Sequence, residues 1–180
     1  DVYKRQILID SDYLMLDDNL IKLLDQDFDY RIMSSNNKPA GPWALKMGMC
    51  SHEYLWATVI LFRKTAKAKM LFDLVGRIQR NYLYYIKLYH IREGNFRNDY
   101  AFTIANNILN GYDLNFDQGI VSPMLTFADI TKSITTKGTM LVVKEQEKAY
   151  VIPRQNIHVM DKGYLLSDNF NEFVNTVCVE

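Results

Sequence analysis

The stretch Ile7-Leu8-Ile9-Asp10-Ser11-Asp12 constrains this chain more than any other. Three consecutive β-prone aliphatic residues read as a buried strand, and two carboxylates one residue apart at its end read as an acidic mouth. Apolar residues resume at once in Tyr13-Leu14-Met15-Leu16. Carboxylates held that close repel each other unless a positive group stands between them, and a divalent cation is the usual one. Asp10 and Asp12 are therefore candidate metal ligands.

A chain of 180 residues with 48% hydrophobic content is long enough for one domain with a sizeable core. Lys plus Arg and Asp plus Glu both number 21, so no whole-molecule field draws it to nucleic acid, and any anion site must be local. Cys50 and Cys178 lie far apart with no Cys-x-x-Cys, which suits a reducing compartment. No run approaches the length of a membrane span and no signal-like start is present, so a cytoplasmic location is expected. Asp1-Val2-Tyr3-Lys4-Arg5-Gln6 matches the translation of a transposon-end adapter used in sequencing libraries. Natural sequence is expected to begin near Ile7, on an environmental, metagenomic-type fragment whose N-terminal part is missing.

Downstream, Asp17-Asp18-Asn19 opens a short helix to about Asp25, and Tyr30 to Met33 reads as a short strand. Ser34 to Gly48, with Asn36-Asn37, Pro39, Gly41 and Pro42, reads as a long loop holding Trp43, Lys46 and Met47, with Met49 just beyond, either a functional lid or a plain surface excursion. Tyr54 to Phe62 is a continuous apolar run, consistent with a central strand buried on both faces. From Thr65 to Tyr89 apolar residues recur at helical spacing, which predicts the longest helix, with Tyr82, Tyr84, Tyr85 and Tyr89 as packing residues and His90 at its end. A second helix begins near Phe96, capped by Asn98 or Asn95, and ends at Gly111. Strands are expected at Met124–Phe127, Thr139–Val143 and Ala149–Ile152, the last two as a hairpin, and a modest helix from Asn169 to Val177.

The order of a strand ending in Asp10-Ser11-Asp12, a long loop, the strand Ala57 to Lys64, a helix with Leu71-Phe72, Asn98-Asp99-Tyr100-Ala101-Phe102 and a late His158-Val159-Met160-Asp161-Lys162 resembles the metal-dependent glycosyltransferases of the GT-A fold. The resemblance covers most of Ile7 to Lys162. It implies an α/β fold: an incomplete GT-A mixed sheet flanked by helices, missing its N-terminal nucleotide-binding strands. Residues 7–180 would then be a partial catalytic domain that binds donor poorly and is itself inactive. In that family the Asp-x-Asp holds Mn2+ or Mg2+ against the diphosphate of a UDP- or GDP-sugar donor. The resemblance thus implies that Asp10 and Asp12, with Ser11 between them, bind the cation or donor, that His158 is a further metal ligand, and that Lys162 meets the phosphates. The Gly ahead of Lys-Pro-Trp that accompanies such a His in the family is absent here. Asp99 falls where these enzymes place the carboxylate that takes the proton of the acceptor, whether glycan, lipid or protein; capping of the second helix accounts for it equally. Arg97 would steady a phosphate or pair with a surface acid. His52 and Glu53, just ahead of the buried strand, would face the same cleft.

Two other readings share the motif. In phosphatases of the haloacid-dehalogenase kind the first Asp is the nucleophile, although Leu14 stands here where they carry Thr and no later acidic pair is evident. A non-catalytic sugar-binding module would use the same fold without transfer.

Overall fold

The computed structural model of the chain describes residues 4–34, 46–47, 52–92, 94–113, 119–120, 124–127, 132–145 and 147–179. In chain order the elements are β1 (Arg5–Ile9), β2 (Tyr13–Leu14), α1 (Asn19–Leu23), β3 (Tyr30–Ser34), β4 (Lys46–Met47), β5 (His52–Glu53) and β6 (Leu55–Arg63). Three helices follow, α2 (Ala66–Arg80), α3 (Tyr82–Leu88) and α4 (Asn98–Leu109). The remainder is β7 (Gly119–Ile120), β8 (Met124–Phe127), β9 (Lys132–Lys137), β10 (Met140–Glu145), β11 (Lys148–Pro153), β12 (Asn156–Val159), α5 (Lys162–Leu165) and α6 (Asp168–Val179). The class is mixed α/β. The chain forms two compact units, one of residues 1–10 and 21–122, the other of residues 11–20 and 123–180. No described helix is long and apolar enough to cross a membrane.

The first unit is built on a sheet of order β1-β6-β3-β7, antiparallel except for the parallel β3–β7 pair. β6 is central, as its apolar run predicts. Leu55, Ala57, Ile60 and Phe62 all join the core formed with Leu71 and Ile78 of α2 and Ala101, Phe102, Ile104 and Ala105 of α4. They change from odd to even positions because the pairing with β3 slips between Ile32↔Ile60 and Met33↔Trp56, and such an irregularity resets which side chains face inward.

Four sequence expectations are corrected here. β1 is not a buried strand: among the described strands it lies at the outer end of the order, flanked by β6 alone, and Leu8 and Ile9 are 46% and 39% exposed. The expected long helix is two, broken at Asn81. The Asn81 side chain donates to the Arg77 carbonyl at 2.9 Å and its own carbonyl starts the next helix, accepting from Tyr84 and Tyr85. Asparagine competes for backbone groups in this way, so it interrupts helices that an aliphatic residue would continue. Tyr82 and Tyr89 are buried as expected, whereas Tyr84 is exposed. Neither Asn95 nor Asn98 caps α4; Arg97 holds the cap position without a side-chain capping hydrogen bond, and Asp99 supplies the acid in the first turn. Most of the expected long loop, including Trp43 and Met49, lies outside the described residues, and Lys46–Met47 within it pairs with His52–Glu53 as β4 and β5.

The second unit holds two three-stranded sheets, β11-β10-β9 and β2-β12-β8. The expected hairpin is present: β10 and β11 pair from Met140↔Pro153 to Glu145↔Lys148. Gly138, at φ +58, makes the turn into β10 from β9, a strand whose polar sequence Lys-Ser-Ile-Thr-Thr-Lys conceals it. Ile134, Leu141, Val143, Ile157 and Val159 form one core with Tyr164 of α5 and Phe173 of α6.

Candidate metal centre

The Asp-x-Asp is where the chain leaves one unit and enters the other. Asp10 ends the first unit, its N–H donating to the Thr58 carbonyl at 2.9 Å, and Ser11, exposed, begins the second.

From there Asp12 is stitched to β12. Its carbonyl accepts the Val159 N–H at 2.8 Å, and the antiparallel ladder continues as His158↔Tyr13 and Ile157↔Leu14. Asn156 closes the stitch: its fully buried side-chain oxygen accepts from Leu16 N–H at 2.8 Å and Asp17 N–H at 3.3 Å. The four residues of β12 alternate, and a strand directs alternate side chains to opposite faces. Ile157 and Val159 enter the core, and Asn156 and His158 are directed to the other face.

His158 Nε2 stands 3.7 Å from Asp12 Oδ1, and both side chains are 10% exposed. The other oxygen, Oδ2, accepts from the Lys162 ammonium, whose side chain is 66% exposed. Lys162 is the first residue of α5, whose start is fixed by Asp161, a cap that accepts from Gly163 N–H at 2.8 Å and Tyr164 N–H at 3.4 Å. Within the second unit, Asp12 and His158 can each offer one ligand atom, within 4.8 Å of each other.

This donor set fits a divalent cation. Among the described residues Asp12 Oδ1 is buried with no hydrogen-bond partner, an acceptor whose loss of water is otherwise uncompensated. The 3.7 Å to His158 Nε2 is too long for a hydrogen bond. It lies within the roughly 3.0–4.2 Å that separates two ligand atoms each about 2.1 Å from a common ion. A carboxylate and an imidazole are hard-to-borderline donors of the kind that hold first-row divalent ions.

Burial pushes the Tyr13 phenol well above its ordinary range, the nearby Asn156 side chain pulls it back in part, and Asp17 raises it again. It therefore stays protonated at any ordinary pH and transfers no proton here.

The other expected residues lie in the first unit. Asp99 is in the first turn of α4, where its Oδ1 accepts the Ala57 N–H at 2.8 Å and its Oδ2 lies 3.6 Å from the Arg97 guanidinium. Fully buried Thr103, one turn on, accepts the Leu55 N–H at 3.0 Å and donates to the Asp99 carbonyl at 2.7 Å. Asp99 and Thr103 thus bond α4 to the start of β6. His90 adopts φ 54 just beyond α3, a helix-end position. Asn156 and Asp161 were not singled out in the sequence; the alternation Asn-Ile-His-Val and an Asp two residues ahead of a Gly are the signals that point to them.

No protein-family model matches the chain, no curated protein matches it, and no solved structure matches it.

Proposed function

We propose that the chain carries the cation centre of a glycosyltransferase that moves a sugar from a UDP- or GDP-sugar to a glycan, lipid or protein acceptor. The observation that carries this reading is the convergence of Asp12 and Lys162, 150 positions apart, with His158 beside them. A carboxylate, an imidazole and an ammonium gathered at one place are the groups that a metal–diphosphate pair requires. The GT-A assignment of the mixed α/β fold and a cytoplasmic setting belong to the same proposal.

Asp12 and His158 hold the ion, and the imidazole favours Mn2+ over Mg2+. When bound, the ion offsets the negative charge that develops on the departing nucleoside diphosphate. Ser11, exposed between the two carboxylates, offers a hydroxyl to the donor. Lys162 pairs with a phosphate oxygen. Asp99 takes the acceptor proton through Oδ2, since Oδ1 already holds the Ala57 N–H.

The test is thermal unfolding of the chain with Mn2+, UDP and GDP, singly and together. A Mn2+-dependent rise in Tm supports the reading, and UDP or GDP, which this partial domain is expected to bind poorly, enlarges it only slightly. Hydrolysis of a phosphate monoester with no response to Mn2+ and nucleotide overturns it in favour of a phosphatase.

A further inference from the structure

Asp12 presents a physical problem that the fold solves in a particular way. A carboxylate nine-tenths buried is costly unless a positive charge meets it. The group that meets it belongs to Lys162, a residue that keeps most of its own side chain in water.

That asymmetry distinguishes a resident counter-ion from a fixed structural bridge. The main chain of Lys162 is anchored at the start of α5 by the Asp161 cap, while its four-carbon stem is free to turn. Withdrawing the ammonium from Asp12 leaves it hydrated and buries nothing new. Asp12 and His158, by contrast, are held from the backbone, through the Val159 N–H bond and the β2–β12 ladder. The mobile member of the cluster is the cation.

We propose that Lys162 is an internal stand-in for the divalent cation: it neutralises Asp12 until the ion arrives, and ion binding displaces its ammonium from Oδ2. The proposal rests on the metal-centre reading and deepens it. Lys162 and the ion compete for one carboxylate, so the apparent ion affinity is lowered by the fraction of time that the lysine occupies it. The displaced ammonium remains beside the ion, available to an anion only once the ion is in place. The order of binding then follows: cation first, phosphate-bearing ligand second.

The experiment has two arms. Isothermal titration of Mn2+ into the wild-type chain and Lys162→Met is expected to show about tenfold tighter binding in the variant, the change that follows if the lysine occupies the carboxylate about nine-tenths of the time. Separately, the rate of acetylation of Lys162 in the wild-type chain, read by mass spectrometry against Lys69 as an exposed reference, is expected to rise on Mn2+ addition. The second arm needs no variant to fold. Equal Mn2+ affinity in both chains with unchanged acetylation overturns the stand-in role and leaves the metal centre intact. Failure of both chains to bind Mn2+ overturns the metal centre itself.

Discussion

Val159 donates its backbone N–H to the carbonyl of Asp12 at 2.8 Å, and this bond seats the second carboxylate of the Asp-x-Asp beside His158. The arrangement is economical in sequence: one short strand, Asn156–Val159, supplies the bond, the imidazole and the oxygen of Asn156 that fixes the arm beyond Asp12.

Asn156→Ala is predicted to cost about 1–3 kcal/mol, because the Leu16 and Asp17 N–H groups lose their shared acceptor in a part-buried setting. Urea unfolding measures this directly. Mn2+ affinity should fall with it, since the arm carrying Asp12 is then held by fewer bonds.

Asp12→Asn should abolish the stabilisation by Mn2+. At a hundredfold excess over Kd a single site adds about 2.7 kcal/mol to the wild-type chain. The isosteric amide keeps the backbone seat but loses the charge, so the variant should show no Mn2+-dependent shift in Tm. Ser11→Ala, one residue away, should retain it.

Asp99 separates two roles by substitution. Asp99→Ala leaves the Ala57 N–H without its acceptor and should cost about 1–3 kcal/mol in chemical unfolding. Asp99→Asn keeps a carbonyl oxygen for that bond and should lie within about 1 kcal/mol of wild type. If both variants unfold alike, the bond from Ala57 is not what Asp99 contributes.

Stability should fall in alkali. Burial raises the phenols of Tyr13, Tyr30, Tyr54 and Tyr164 above the ordinary value of 10.0, with Asp99 adding to the rise at Tyr54. A group whose folded pKa is raised contributes stability in full below the unfolded value and loses it as pH climbs towards the folded one. Unfolding free energy should be insensitive to these groups up to about pH 9. Above about pH 10 it should drop by ~1.4 kcal/mol per pH unit for each tyrosine. Tyr54→Phe should make that slope shallower by one proton.

The fold was most legible where one residue type dominates a segment. The apolar run of β6 and the regular stripe of α4 declare themselves, as does the β10–β11 hairpin. β1 misleads because Ile7-Leu8-Ile9 looks like a core strand, whereas burial depends on how many neighbours the sheet order supplies. The Asn81 break was hidden by an uninterrupted apolar stripe, since helix continuity turns on one backbone competition and not on the stripe. At the site, Asp10 and Asp12 are visible from spacing, and His158 and Lys162 only through resemblance. Asn156 and the Val159 N–H bond are long-range backbone facts that no local pattern carries.

The most direct test of the metal centre is anomalous diffraction from crystals of the chain soaked in Mn2+. The account predicts a manganese peak bonded by Asp12 and His158, with the Lys162 ammonium withdrawn from Asp12. No peak at Asp12, with Lys162 still bonded to its carboxylate, would contradict it.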